Sequence, residues 1–410
     1  EFATILSAGC ILLSSPHASL MKLSRGLLQL PRQWCGQRFL VSHLSVQVFW
    51  MAFALTLVTK PSGVSGADHL VLRNLQLLDN VEVLGFDEDG IKLQDGRQWT
   101  WDQIVSGKVS DDQQQEFNDL LSKLSLPLYR LDWRLRLGND SDLLTCVDPL
   151  LETYGNRISL AAAKVWYGEL RGRLAQGQRA AALIPLLKID RLIRSGTVSS
   201  ATLQDVLSSG DNRNWSDPTT GICMQLLPVW FDQAEAEEHW KATFETYSAL
   251  QAPSTTATLY VSSLAVAAGQ NSTSLELLQA IDSPSQGQQQ WVDLIRFEME
   301  RLENGTQNRE AQIAGSIHQY SRPLQAIAYY ALGCSRLEKT QETTIQKGQL
   351  DLLKIPAELD DVAEEVASAA LSRVASSLES TNHPREAGIL WNELNSRYPA
   401  SWHSQQRRAP

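Results

Sequence analysis

Cysteine is scarce in this chain, with five in 410 residues and no two of them spaced CxxC. That excludes a disulfide framework, a zinc ribbon and a thioredoxin-type redox pair. Positive charge is also short. Lys plus Arg number 36 against 46 Asp plus Glu, a net charge of -10, so the basic surface that grips a nucleic-acid backbone is missing. The 24 Gly and 15 Pro are too few for a collagenous or low-complexity polymer. No GxSxG elbow, P-loop or GxGxxG occurs, which leaves nucleophilic hydrolysis and nucleotide binding without support. What the chain does have is 43% hydrophobic residues, enough for two or three domains with cores of their own.

The first 67 residues have the order of an export signal. Lys22, Arg25, Arg32 and Arg38 make a basic start. An apolar stretch of 15 residues follows, Leu44–Val58, and then a breaker-rich segment in which Ser65 and Ala67 fit the −3 and −1 positions of a cleavage site. Positive charge holds one end inside while the apolar core enters the bilayer. The stretch is shorter than the roughly 20 residues that a spanning helix needs. A signal cleaved after Ala67 is therefore expected, with an uncleaved anchor through 44–58 as the alternative. The segment carries Glu1 as its one acid, so the rest of the chain is more acidic still, and nucleic acid is not an expected partner. Of the cysteines only Cys146, Cys223 and Cys334 lie beyond it, and three buried thiols are expected.

Residues 68–108 have the two-residue period of strands. Val81–Phe86, Ile91–Gln94 and Arg97–Asp102 alternate apolar and polar positions, separated by Asp87-Glu88-Asp89-Gly90 and by Asp95-Gly96. These features predict a three-stranded meander of about SH3 size, joined by a strand from Leu70 to Leu78, with a type I′ turn at Asp95-Gly96. Trp99 and Trp101 are expected in its core. The acids Asp87, Glu88 and Asp89 lack EF-hand spacing and are expected to form a solvated turn.

From Ser110 onward the period is helical and the connections are short. Stretches 109–194 and 233–402 are read as helical repeats, 195–232 as a long loop or junction, and 403–410 as a tail. Asp111–Leu124 and Leu128–Leu137 are expected as separate helices. Leu226–Phe231, an apolar run with a central proline, is expected to lie extended across a helical surface.

The last two stretches carry a repeat pattern. Leu371, Val374, Ala375 and Leu378 lie on one face, then Ala387, Trp391 and Leu394 on the next, with Pro399 closing the unit. Small residues at Ala375 and Ala387 let two helices approach closely, Trp391 fills the groove toward a neighbour, and Pro399 ends the second helix. Tyr329, Leu332 and Gly333 repeat part of the pattern, although Ile345 and Gln349 depart from it. A fainter trace runs through Trp166, Ala182 and Leu186, with Glu169 where an apolar residue belongs.

On these residues the chain resembles the tetratricopeptide-like helical-repeat superfamily. Its end, Glu386–Pro399, is similar to the closing repeat of exported bacterial proteins of that kind, including envelope-assembly and cell-division-associated factors. The resemblance implies a mostly α fold: helical hairpins in a superhelix, preceded by the small antiparallel β-module. It also implies binding of a protein or peptide on a concave face and carries no catalytic residue.

Candidates for chemistry are few. Glu235 and His239 share a helix face beside Glu238, but HExxH order and a third ligand are absent, so a solvated charged face is expected. Asp360, Asp361, Glu364 and Glu365 lie opposite an apolar face of Val362, Val366 and Ala370 and are expected to be solvated. Trp133, Trp166, Trp215, Trp230, Trp240, Trp291, Trp391 and Trp402 punctuate the helical part and are expected mainly as groove fillers. No residue is assigned as catalytic, cofactor-binding or metal-ligating. The functional expectation is an exported scaffold, periplasmic or in the cell envelope, that binds a protein or peptide. The alternatives are a glycan-processing envelope enzyme and a membrane-tethered structural protein.

Overall fold

The computed structural model describes residues 68–196, 206, 215–302 and 307–408. The expected signal and the 44–58 stretch lie outside them. The described residues are mostly helical and begin with two small antiparallel sheets. Strands β1 (Asp68–Leu72), β2 (Leu77–Val81) and β6 (Ile104–Lys108) form one, in the order β2-β1-β6. Strands β3 (Val83–Asp87), β4 (Gly90–Leu93) and β5 (Gln98–Trp99) form the other.

The second sheet is the expected meander. The Leu70–Leu78 region is not one strand, because a turn with Leu75 at φ 65° breaks it into β1 and β2. At Asp95-Gly96 only Gly96 has positive φ, so the turn is not type I′, which needs it at both residues. Trp101 leaves the strand for a short 3₁₀ turn and is fully buried. Its indole N–H donates to the Asp87 carbonyl at 2.8 Å, and its ring lies 5.6 Å from that of Phe117 on the first helix. The β-module thus shares its core with the helices.

The acidic turn is not solvated as expected. Arg157 reaches Glu88 and Asp89 at 2.9 Å each, and the Tyr154 hydroxyl donates to the Glu88 carbonyl. The acids tether the hairpin to the helical part.

Fourteen helices follow among the described residues: α1 (Gln114–Leu137), α2 (Leu143–Tyr154), α3 (Leu160–Ala175), α4 (Arg179–Ser195), α5 (Gln233–Ser248), α6 (Thr255–Ala267) and α7 (Asn271–Gln279). Then come α8 (Gln286–Leu302), α9 (Gln307–Ser316), α10 (Arg322–Leu337), α11 (Glu342–Glu358), α12 (Asp360–Ser380), α13 (Pro384–Arg397) and α14 (Trp402–Arg408). The two helices expected around Pro127 are one, α1. Leu124, Leu128, Leu131 and Leu135 form a continuous buried row across the proline. At roughly 1.5–3 kcal/mol per buried leucine, the row outweighs the roughly 3 kcal/mol that an interior proline costs. The expected tail is helical too, since α14 takes in 402–408.

Packing is serial. Most helices pack on the next in the chain, and α1/α3, α4/α6, α6/α8, α8/α10 and α10/α12 add contacts to the second neighbour. Helices α10 and α11 cross at Gly333 and Gly348, where a Cβ on Gly348 would stand 2.8 Å from the Gly333 carbonyl oxygen. Between α12 and α13, Leu371, Val374, Ala375, Ala387 and Leu394 are buried as the repeat pattern requires. Trp391 is only partly buried and donates its indole N–H to Glu379 at 2.8 Å.

Helix α14 also returns on a much earlier part of the chain. Gly177, with φ 74° in the α3–α4 connection, lies so close to Trp402 that a Cβ would meet the indole Cδ1 at 2.2 Å. Leu226–Phe231 is irregular and largely buried, with Leu226, Leu227 and Val229 in the core; it is not simply extended as expected, because a tight turn closes on a Val229 N–H to Leu227 carbonyl bond of 2.7 Å.

Candidate ligand cavity and an exposed aromatic row

Segment 228–231 and helices α6, α8, α10 and α12 surround a cavity of about 320 Å³. Val229, Trp291, Leu294 and Ile327 supply much of its apolar wall. Its two polar ends differ. At one, Arg301 from α8 binds Glu298 at 2.8 Å and Glu338 at 2.5 Å. Burial works against the Arg301 charge, but the two carboxylates outweigh it and raise its pKa. Burial raises the Glu298 pKa, and Arg301 pulls it back. Both cavity carboxylates are therefore committed to one cation.

At the other end stand Tyr330 and Cys334 from α10 and Arg373 from α12. Arg373 is exposed at the rim and, among the described residues, has no carboxylate partner. The Tyr330 hydroxyl is buried and makes no hydrogen bond of ordinary geometry. Burial raises its pKa, and Cys334 adds to the rise while Arg373 opposes it. Burial also pushes the Cys334 thiol up to about 11, so it stays protonated and a poor nucleophile at neutral pH.

Arg179, at the start of α4, holds the wall behind this end. Only 2% exposed, it donates to the Val229 carbonyl at 2.9 Å and the Leu227 carbonyl at 2.6 Å. It also pairs with Glu365 of α12 and lies 4.7 Å over the Phe231 ring. Burial lowers its pKa to about 10. His403 of α14 packs on Phe231 with ring centroids 4.9 Å apart. Burial, then the charges of Arg179 and Arg373, bring its pKa down to about 4, so the imidazole is neutral at pH 7.

The sequence-derived candidates lie elsewhere and do other work. Glu235 is not on a solvated face: its carboxylate accepts from the Ala180 N–H at 2.7 Å, satisfying a free donor at the start of α4. Glu238 is exposed and His239 half-exposed. Among the described residues no cluster of three or more His, Cys, Asp or Glu could hold a metal. Asp360, Asp361 and Glu365 are not simply solvated either. They pair with Arg397 of α13 at 2.5 Å, Arg322 of α10 and Arg179 of α4, joining α12 to three other helices. Cys146, Cys223 and Cys334 are buried free thiols.

The tryptophans divide. Trp101, Trp166 and Trp291 are buried, whereas Trp133 on α1 is 52% exposed. Its ring stacks on Tyr129, 6.5 Å away at 26°. The Arg73 guanidinium of the β-module covers the other end of the row, 4.1 Å from the Tyr129 centroid. Hydrogen bonds from Arg73 to the Asp102 carbonyl and to Ser125, both 2.8 Å, fix it there. Leu126 and Leu137, both exposed, extend the face one turn or two to either side.

Comparisons with protein-family models, with curated proteins and with solved structures find no match. Arg373, Tyr330 and Arg301 were not signalled in the sequence. The nearest cue was Tyr329, a motif position whose neighbour Tyr330 is the one that lines the cavity.

Proposed function

We propose that this chain is an exported helical-repeat scaffold of tetratricopeptide-like build that binds a protein or peptide partner. The observation that carries the reading is the Arg73–Tyr129–Trp133 row. A half-exposed tryptophan, stacked and held in place yet left uncovered by the described residues, is of a residue type that dominates binding energy at interfaces, as is the arginine beside it. Serial helix packing supports the scaffold part, because most helices hide their apolar side against chain neighbours. The α12–α13 unit, with its buried small residues, supports the repeat part. The 1–67 pattern is the support for export.

The glycan-enzyme alternative gains nothing from the cavity, where Glu298 and Glu338 share Arg301 instead of facing a free cleft. As for the tether, no helix among the described residues is long and apolar enough to cross a membrane. N-terminal sequencing of the mature protein tests the anchor through 44–58, and a chain starting at Asp68 ends it.

The test is a photo-crosslinking amino acid at position 133, irradiated in intact cells, with the same label at exposed Lys241 as control. A discrete adduct at 133 that is missing at 241 and lost on Arg73→Ala supports the reading. Identical patterns at both positions refute it.

A further inference from the structure

The cavity has a feature that the scaffold reading leaves unused. Among the described residues Arg373 stands at its rim with no carboxylate partner, beside a buried Tyr330 hydroxyl that makes no hydrogen bond of ordinary geometry and has only Arg373 and Cys334 as close polar neighbours. Buried polar groups in native proteins are normally satisfied, and an exception calls for an explanation. A guanidinium and a phenol O–H are both donors, and the charged form of a carboxylate is the acceptor that answers both. About half of the lining surface is apolar, contributed by Val229, Trp291, Leu294 and Ile327 among others between the two polar ends, so whatever carries that acceptor has an apolar portion to lay along them. At about 320 Å³ the space falls at the small end of ligand cavities, roughly 300–1,000 Å³.

The far end sets the charge of the ligand. There, Glu298 and Glu338 flank the single cation Arg301, a net negative end that repels a second anionic group. A monoanion can place its charge on Arg373 and its apolar body along Val229, Trp291 and Ile327. A dicarboxylate or a phosphate dianion cannot avoid the acidic end so well. The planar Arg373 fork also fits a carboxylate in two-point fashion.

The geometry points to a small-molecule site in this cavity for an apolar monocarboxylate, with Arg373 and Tyr330 as the groups that receive the carboxylate. The site is separate from the Trp133 row and stands whether or not that row binds a partner.

The test uses the full chain and titration calorimetry with 4-phenylbutyrate, 4-phenylbutyramide, 4-phenylbutyl phosphate and an acetylated dipeptide ending in phenylalanine. Phenylbutyrate is expected to bind, and the neutral amide to bind about ten- to a hundredfold more weakly, the span of one charge-assisted hydrogen-bonded contact. Arg373→Gln should cost a similar factor, and Tyr330→Phe about three- to tenfold. Tyr330→Phe keeps the ring and removes only the unpaired hydroxyl, so it leaves the fold intact if Arg373→Gln does not. Equal binding of acid and amide, no loss in both variants, or no binding of any probe at millimolar concentration overturns the proposal. Preference for the phosphate overturns the carboxylate class, and preference for the dipeptide end over the free acid overturns the small-molecule source.

Discussion

Replacing Arg179 with methionine should loosen three segments at once. The guanidinium donates to the carbonyls of Leu227 and Val229 and pairs with Glu365, so its loss strands the Val229 carbonyl and one carboxylate and leaves the Leu227 carbonyl with only the Val229 N–H at 2.7 Å. A buried acceptor left unpaired costs about 1–3 kcal/mol. Glu365 retains 24% side-chain exposure and recovers part of its hydration. Methionine fills much of the volume and spares the cost of burying a cation, which offsets part of the loss. The balance is a destabilisation of about 3 kcal/mol, near the lower bound for breaking one partner out of a buried pair. Hydrogen-exchange mass spectrometry is the suitable assay, because it reads the three segments separately. Amides of 226–231, of the first turn of α12 and of α14 should exchange about a hundredfold faster, while those of α1–α2 stay unchanged. Arg179→Lys should fall between, since an ammonium cannot span the same three acceptors. Wild-type exchange at 226–231 in the methionine variant would refute the idea that this side chain holds the segment down.

Two further outcomes follow from local geometry. With an ordinary imidazole pKa of 6.5 and a folded value of about 4 for His403, the unfolded chain takes up the proton first. Stability is therefore full above about pH 6.5 and falls by roughly 3 kcal/mol as the pH drops to about 4, where it levels off. Denaturant titrations at several pH values should show that slope flattened in His403→Phe, and an unchanged slope would count against a buried neutral imidazole. Gly348→Ala brings a Cβ within 2.8 Å of the Gly333 carbonyl oxygen and should destabilise by about 1–3 kcal/mol. Gly388→Ala, where nothing lies within 4 Å, should stabilise by up to about 1 kcal/mol; like signs for the two would contradict the close crossing of α10 and α11.

Much of the fold was legible because local periods agree with burial. The meander over 81–99 and the helical character of 109–194 and 233–402 follow directly from apolar spacing. Strand β6 was not legible, since Ile104 is its one fully buried residue and its partner β1 lies over thirty positions earlier. The seven residues of α14 are too few and too polar for a helical period to show. Charged residues misled most. Glu88, Asp89, Glu235, Asp360 and Asp361 look like solvated surface along the chain, yet each meets an arginine or a backbone donor from a distant segment. Arg179 is the extreme case: it looks like the first residue of an exposed helix start, and its acceptors come from carbonyls about fifty residues away. The candidate cavity was hidden for the same reason, as its polar groups come from three helices with no shared motif.

The docking of Trp402 against Gly177 has a consequence for how the molecule tolerates shortening. An open stack of like units can shed its outermost member and leave the others as they were. Here the seven-residue helix α14 acts as a clasp between distant parts of the chain, so trimming it would unlatch the array at the α3–α4 connection instead of merely making it shorter.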